Sequence, residues 1–525
     1  MATVREETYS LFRSLGMTTI FGNPGSTEEA FLQDFPSDFT YILALQEASA
    51  VAMADGFAQA TRRPALVNLH TSAGMGNAMG NIIAAWHNKT PLVITAGQQT
   101  RKMALLEPML YNREAIMLPK PYVKWSYEPS HAQEVPQALA RACYIAMQPP
   151  AGPVFVSIPL DDWQEDAQPV PHRDMSYRTS PDPARIAHVA DLLNASKKPA
   201  LIAGAGVDRS GGWEDLLRLA ERLNAAVWVP PMSERASFPQ DHPLFQGFLP
   251  FAQKPLGEKL AENDVVLVLG APVFRYYPYV PGPVVHGNTR LLHITDDPEE
   301  AARAPMGDSI LGDVGFAVTQ LADLVTAGAR PAPTLHPPVT PTPPQTPIPP
   351  AFVMDALARL PDNTIFVNES PSNIMHFYAR VPIKRSGSYF FNASGGLGWA
   401  IPTSVGLKLA HPDRPVVCVI GDGSTMYSVQ ALWTAAHHAL PIVFVVMCNG
   451  EYNILKAFAE FEKTPNVPGL DLPGLDIAMI AQGMGCASQR ITQPEEFEEA
   501  LQTALRNDRP TVLNVIIDAK TPSLL

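Results

Sequence analysis

PVVCVIGDGS, residues 415–424, passes from five apolar residues into Gly421-Asp422-Gly423-Ser424. A short continuous apolar run that ends on glycine reads as a strand buried on both faces of a parallel sheet. The small residues after it open a helix whose first amides favour an anion, and the glycines let the backbone approach a phosphate. After a helical stretch comes the next such run, PIVFVVMCN at 441–449, so the two strand ends present Asp422 and Asn449, 27 residues apart. A carboxylate, an amide oxygen and a backbone carbonyl form a hard-oxygen donor set for Mg2+, or for Ca2+ as a cation of the same class. The remaining positions fall to diphosphate oxygens and water. GDGS alone reads equally well as a strand-ending turn, and it is the partnership with Asn449 that favours a metal.

The same rhythm extends outward in both directions. PALVNL (64–69), PLVITAG (91–97), PVFVSIP (153–159), PALIAG (199–204), DVVLVLG (264–270), TRLLHIT (289–295) and NTIFVNE (363–369) alternate with Ala-rich helical stretches. This predicts an α/β protein of parallel sheets flanked by helices. Residues 331–350 carry ten prolines in twenty positions, which neither a helix nor a central strand accommodates, so 330–350 is expected to be a linker. A softer break at 165–182 loses its apolar periodicity. Three units are expected: 1–165, 182–329 and 351–525. In the middle unit GAGVDRSGG (204–212) approaches a dinucleotide fingerprint, but Arg209 stands where the third glycine belongs, and a plain strand-to-loop turn is the expected reading.

At 525 residues and 46% hydrophobic composition the chain is too long for one core and too apolar for disorder. Its net charge of −13 leaves no basic footprint, which argues against nucleic acid as a partner. Cys143, Cys418, Cys448 and Cys486 lie far apart with no CxxC pair, as expected of reduced thiols in a cytoplasmic protein. The opening MATVREETYS lacks a signal-peptide core, and no run approaches the roughly 20 apolar residues of a membrane span.

The pairing of GDGS with Cys448-Asn449 resembles the thiamine-diphosphate signature, although that signature has asparagine where Cys448 stands. FGNPGS (21–26), LALQEA (43–48), VNLHTSAGMGNAMG (67–80), TPLVITAGQQTR (90–101), VKWSYEP (123–129), LVLGAPVFRY (267–276) and ALWTAAHHALP (431–441) are similar to the benzoylformate decarboxylase branch of that family over essentially the whole chain. The resemblance implies pyrimidine-binding, central and diphosphate-binding domains in that order. It implies Asp422, Asn449 and the Glu451 carbonyl as metal ligands, and Glu47 against the aminopyrimidine nitrogen, where apolar surroundings would favour a protonated carboxyl. It further implies Asn23, Gly395, Gly421, Gly423, Ser424 and Tyr452 around the cofactor, with Leu397 as the apolar prop that keeps it bent. Ser26 would hold the carboxylate and carbonyl of a 2-oxo acid, and His70 would move a proton near the reacting carbon. Other readings stand beside these. Glu47 opens the helix EASAVAMADGFAQA, where a carboxylate suits the dipole; PGSTEE makes Ser26 a helix start; His70 reads also as a core histidine at a strand end.

Tyr277 stands where the family has a second active-site histidine, and a phenol with pKa about 10 is a poorer proton relay than an imidazole. His286 is expected to face solvent. In the implied substrate pocket Pro371, Ile374 and Ile454 are bulkier than the family's residues, whereas Phe391, Leu455 and Phe458 stay apolar, and Met109 and Leu110 add to the wall. Added branched volume narrows a cavity. The resemblance therefore implies nonoxidative decarboxylation of an aromatic 2-oxo acid, most simply benzoylformate. A carboligase or acetolactate-synthase-like reaction, a slimmer branched aliphatic acid, or a silent scaffold remain alternatives. It also implies a site shared between subunits, with a homodimer as the minimal unit and a homotetramer as the assembly.

Overall fold

The computed structural model describes residues 2–328, 330–334 and 339–524; residue 329 and residues 335–338 of the expected linker lie outside the described residues. Three six-stranded parallel sheets follow one another along the chain. The first runs Thr40–Leu43, Thr19–Gly22, Ala65–Leu69, Leu92–Gln98, Val154–Pro159, Ser126–Tyr127 across its width. The third repeats that order with Tyr389–Phe391, Ile365–Glu369, Val416–Gly421, Ile442–Cys448, Thr511–Ile516 and Ala487–Ile491. In both, the strand order reverses between the first and third strands of the sheet, and ligands of such sheets bind outside the carboxyl ends at that switch point.

The central sheet has the other doubly wound order: Phe245–Phe248, Ala226–Val229, Pro199–Ala203, Val265–Leu269, Arg290–Thr295, Asp308–Leu311. This is the arrangement of dinucleotide-binding folds, yet its crevice is filled by backbone. Gly204 N–H donates to the Leu269 carbonyl and Gly206 N–H to that of Gly270, both at 2.8 Å. A Cβ on Gly206 would stand 2.7 Å from Gly270 Cα. Two amides of the segment are thus already engaged and Arg209 pairs with Glu234 at 2.6 Å, but the expected strand-to-loop turn is instead a direct entry through Gly204 into the short helix Ala205–Arg209.

The outer two units meet along the helices Glu47–Thr61 and Ala400–Ala410. A Cβ on Gly406 would lie 1.9 Å from the Met53 carbonyl oxygen and one on Gly56 would lie 2.3 Å from that of Thr403, so these helices touch backbone to backbone. Asp55 lies in this seam, fully buried, and accepts from Gln59 Nε2, Asn88 Nδ2, Thr90 Oγ1 and Trp399 Nε1 at 2.5–2.9 Å. Four donors offset much of the cost of burying a carboxyl, whose pKa burial still raises. Arg235 joins all three units by bonding Asp208 and Gln59 while stacking on the Phe390 ring. Part of the Pro-rich stretch is tied down as well: Ile348 is fully buried and bridges Ile517 in parallel. The four cysteines are free and buried, and among the described residues no helix is long and apolar enough to cross a membrane.

Candidate active site

Register decides the loop expected to hold a metal. Gly421 pairs with Met447, so Asp422 and Asn449 emerge together from the carboxyl ends of adjacent strands. Asp422 is 3% exposed and accepts from Gly423 N–H at 2.9 Å and Gly450 N–H at 2.7 Å, which aims its carboxyl at the loop mouth. Burial raises its pKa, and the two amides oppose the shift. Cys448, in the position that departs from the signature, turns its thiol to Asp422; burial first and the neighbouring carboxylate second push that thiol up to about 12. Asn449 Oδ1 accepts from Glu451 N–H at 3.2 Å. The Glu451 side chain turns to Lys456, and the 450–452 loop is pinned by Leu472 N–H to the Gly450 carbonyl and Tyr452 N–H to the Leu470 carbonyl, both 2.8 Å. The Tyr452 ring lies on Gly423, where a Cβ would come within 2.4 Å of it. Among the described residues no three His, Cys, Asp or Glu cluster as a metal site. The oxygens of Asp422, Asn449 and the Glu451 carbonyl instead fit a hard cation that keeps phosphate and water ligands.

The first sheet gathers the rest of its candidates at the same kind of edge. Asn23 and Ser26 follow the strand Thr19–Gly22, Glu47 follows Thr40–Leu43, and His70 follows Ala65–Leu69. Glu47 is half-buried and opens its helix behind Gln46, whose side chain caps it, and Asn77 Nδ2 donates to Glu47 Oε2 at 3.1 Å. Ser26 is exposed in a turn and is not a helix cap; the short helix Glu29–Leu32 starts behind Glu28.

His70 is no core histidine. Its Nδ1 lies 2.8 Å from Glu28 Oε2 and 3.1 Å from Thr27 Oγ1, and its side chain is 19% exposed. Glu28, only 1% exposed, is held in turn by Gly97 N–H at 2.8 Å, Thr27 Oγ1 at 2.7 Å and Gly25 N–H at 3.0 Å. A carboxylate behind Nδ1 fixes the tautomer that leaves Nε2 for a reactant. Thr71, next in sequence, has φ 42°, a left-handed conformation that a β-branched residue adopts only under strain, and strain of this kind gathers at functional sites. Sequence reasoning passed over Glu28 because GSTEE offers two adjacent acids and no periodicity to distinguish them. Glu28→Gln is expected to lower kcat/KM by about 10²-fold, the low end of general acid–base contributions, without weakening cofactor binding; steady-state kinetics beside a cofactor titration checks this.

The residues expected to wall the substrate pocket are brought together in part. The helix Asn453–Glu462, which carries Ile454 and Phe458, packs on the turn Pro371–Asn373. The Phe458 ring meets Tyr277 at 4.5 Å between centroids. Phe391 is half-buried, with its N–H on the Glu234 carbonyl at 3.0 Å. Ile374 sits behind the wall, 8% exposed in the core with Phe377 and Tyr389. Leu455 and Met109 face solvent in the single chain, Met109 at 85% exposure, and Leu110 has φ 68°. His286 differs from its expectation: it is half-buried, with Nε2 sealed from solvent and unpartnered. Leu397 is half-buried between Gly395 and Gly398, whose φ values of 74° and 90° make the turn that carries it.

Two sheets of one topology, one ending in an oxygen-donor loop and the other in a carboxylate and an imidazole, define a thiamine-dependent enzyme. The chain belongs to the thiamine pyrophosphate enzyme family: residues 2–116 match its N-terminal TPP binding domain, 186–321 its central domain and 372–515 its C-terminal TPP binding domain. Among its relatives, the benzoylformate decarboxylase of Pseudomonas aeruginosa is 46% identical over 98% of this chain and 99% of its own. The crystal structure of benzoylformate decarboxylase from Polynucleobacter necessarius superposes with a TM-score of 0.98 at 45% identity, covering 100% of both chains. The 4-hydroxybenzoylformate decarboxylase of Rhodococcus jostii RHA1 superposes at 0.95 with 41% identity, over 99% of this chain and 100% of its own.

Proposed function

We propose that this enzyme decarboxylates benzoylformate without oxidation, taking up one proton and releasing carbon dioxide and benzaldehyde. The observation that carries the reading is the end-to-end match to a benzoylformate decarboxylase at 46% identity. Thiamine diphosphate supplies the carbon nucleophile and the electron sink. Asp422, Asn449 and the Glu451 carbonyl hold Mg2+, or Ca2+ in its place, against the diphosphate, with Gly421, Gly423, Ser424 and Tyr452 lining it. Glu47 hydrogen-bonds the aminopyrimidine, beside Asn23 and Gly395, and Leu397 props the rings. Ser26 binds the substrate carboxylate. His70, oriented by Glu28, exchanges a proton at the reacting carbon through Nε2. Pro371, Phe391, Ile454, Phe458 and Tyr277 form the apolar wall, with Ile374 behind it.

Glu47 is half-exposed in the single chain, and the segment after Arg101 leaves Leu105, Leu106, Met109 and Met117 more than half exposed. These features support completion of the site by a second copy in a homotetramer, with Met109, Leu110 and Leu455 joining the pocket there. Domain limits of 1–165, 182–329 and 351–525, with 330–350 connecting, accord with the three sheets. Four buried free thiols suit a cytoplasmic setting.

Tyr277 favours one second reading. It is 57% exposed and offers a phenol where a proton relay is wanted, which would leave time for attack on a second carbonyl, as in a carboligase. A product assay decides. With thiamine diphosphate and Mg2+ added, benzoylformate is expected to yield carbon dioxide and benzaldehyde in equal amounts. No carbon dioxide from benzoylformate, with acetolactate or a 2-hydroxyketone from pyruvate, would overturn the proposal.

A further inference from the structure

The Gly398–Trp399 peptide is held at both its carbonyl and its N–H. Glu369 ends the strand Ile365–Glu369, 4% exposed, and its Oε1 accepts Gly398 N–H at 2.7 Å. Its Oε2 accepts Trp399 N–H at 2.9 Å and Ala400 N–H at 2.8 Å. The helix Ala400–Ala410 has no side-chain cap from Trp399, so Glu369 satisfies amides that would otherwise be orphaned. Burial pushes its carboxyl up to about 7 against the pull of these three donors. From the opposite side Trp399 Nε1 donates to Asp55 Oδ2 at 2.6 Å. Asn81 Nδ2 reaches the Gly398 carbonyl at 3.3 Å and the Ala48 carbonyl, next to Glu47, at 2.8 Å. Gly398 itself has φ 90°, and a Cβ there would fall 2.8 Å from Tyr427 Cβ.

A helix cap alone needs one acceptor. Here two buried carboxylates, Glu369 and Asp55, and the Asn81 amide converge from three different elements on two consecutive residues, Gly398 and Trp399, immediately after the half-buried leucine. Such a turn has little intrinsic rigidity, since glycines surround it. We propose that Glu369 is a positioning residue for the cofactor, fixing the Gly398–Trp399 peptide and thereby the side chain of Leu397 against the thiamine rings. The proposal rests on the assignment of Leu397 as the prop. Asp55 and Asn81 hold the same peptide from the pyrimidine-binding unit.

Glu369→Gln tests it, because the amide keeps one acceptor oxygen and turns an NH2 toward an N–H donor. The readout is the rate at which the thiazolium C2 proton of bound thiamine diphosphate exchanges with deuterated solvent, followed by NMR after acid quench, since that rate depends on how the rings are bent. Cofactor affinity is measured in parallel by quenching of intrinsic fluorescence. Exchange is expected to slow by up to about 10²-fold, the cost of a small displacement at a reacting centre, with affinity little changed, and Leu397→Ala is expected to slow it too. If Leu397→Ala slows exchange and Glu369→Gln lowers only the melting temperature, the positioning role falls while the prop stands. If neither slows it, the assignment of Leu397 falls and the proposal with it. Glu369→Asp, which keeps the charge but draws the carboxylate back from the three amides by one methylene, decides the matter if Glu369→Gln does not fold: slowed exchange supports the proposal and unchanged exchange overturns it.

Discussion

Glu47→Gln is expected to lower kcat on benzoylformate by about 10²- to 10⁴-fold, the range for removal of a positioned acid–base group, and to leave thiamine diphosphate binding nearly intact. The substitution is close to isosteric. Glu47 opens its helix without capping it, because Gln46 accepts the Ser49 N–H at 3.1 Å. Its one hydrogen bond among the described residues comes from Asn77 Nδ2 at 3.1 Å, and an amide oxygen still accepts that donor. Gly74 leaves the side chain room, since a Cβ there would approach Glu47 Cγ only to 3.4 Å. The folded protein therefore loses little. A glutamine amide can donate a hydrogen bond to a ring nitrogen but has no acidic proton to transfer to it, so the chemical step loses its activating group. Stopped benzaldehyde assays give kcat and isothermal titration gives the cofactor affinity. Parent-like turnover in the variant would remove Glu47 from the mechanism.

The sequence disclosed most readily what physics makes periodic. Val416–Gly421 and Ile442–Cys448 are buried along almost their whole length, and such strands appear as unbroken apolar runs. The sheet edges did not appear that way. Ser126–Tyr127, Asp308–Leu311 and Ala487–Ile491 are short and half exposed, with no run to read. The inner strand Thr511–Ile516 also went unread, although TVLNVI with its fully buried Asn514 has the pattern of ALVNL at 65–69. The same contrast holds in the site. Asp422, Asn449, Glu47 and His70 were singled out because the resemblance marked them at strand ends, which is where the topology delivers ligands. Glu28, Asp55 and Asn81 were not, and neither was Glu369, although it too ends a strand. Their function lies in what they meet across sequence separations of tens to hundreds of residues, as Asp55 meets Trp399, and one residue's neighbourhood in the chain carries no trace of such a meeting. Ile374 shows the converse, since a position matched by resemblance gives no measure of which way a side chain turns.

Asp422→Ala is expected to weaken thiamine diphosphate binding by more than about 100-fold, because changes in the partners that merely orient a metal ligand already cost 10–100-fold. The carboxylate is the only charged protein group in the proposed donor set, with Asn449 and a carbonyl beside it. It also organises the loop before any ion arrives: Oδ2 accepts Gly450 N–H at 2.7 Å and so ties one strand end to the next. Alanine removes the charge and that tie together, and leaves two amides and the Cys448 thiol without their acceptor. A metal-specific loss is separated from a collapsed loop by Asp422→Asn, which keeps an acceptor for Gly450 N–H but discards the charge. If the carboxylate serves the cation, Asp422→Asn requires a much higher Mg2+ concentration for half-maximal cofactor binding, with an unchanged melting temperature in the absence of both. The measurement is a fluorescence titration of cofactor at graded Mg2+ concentrations. A variant that binds cofactor with the parent's dependence on Mg2+ would show that Asp422 shapes the loop and does not hold the ion.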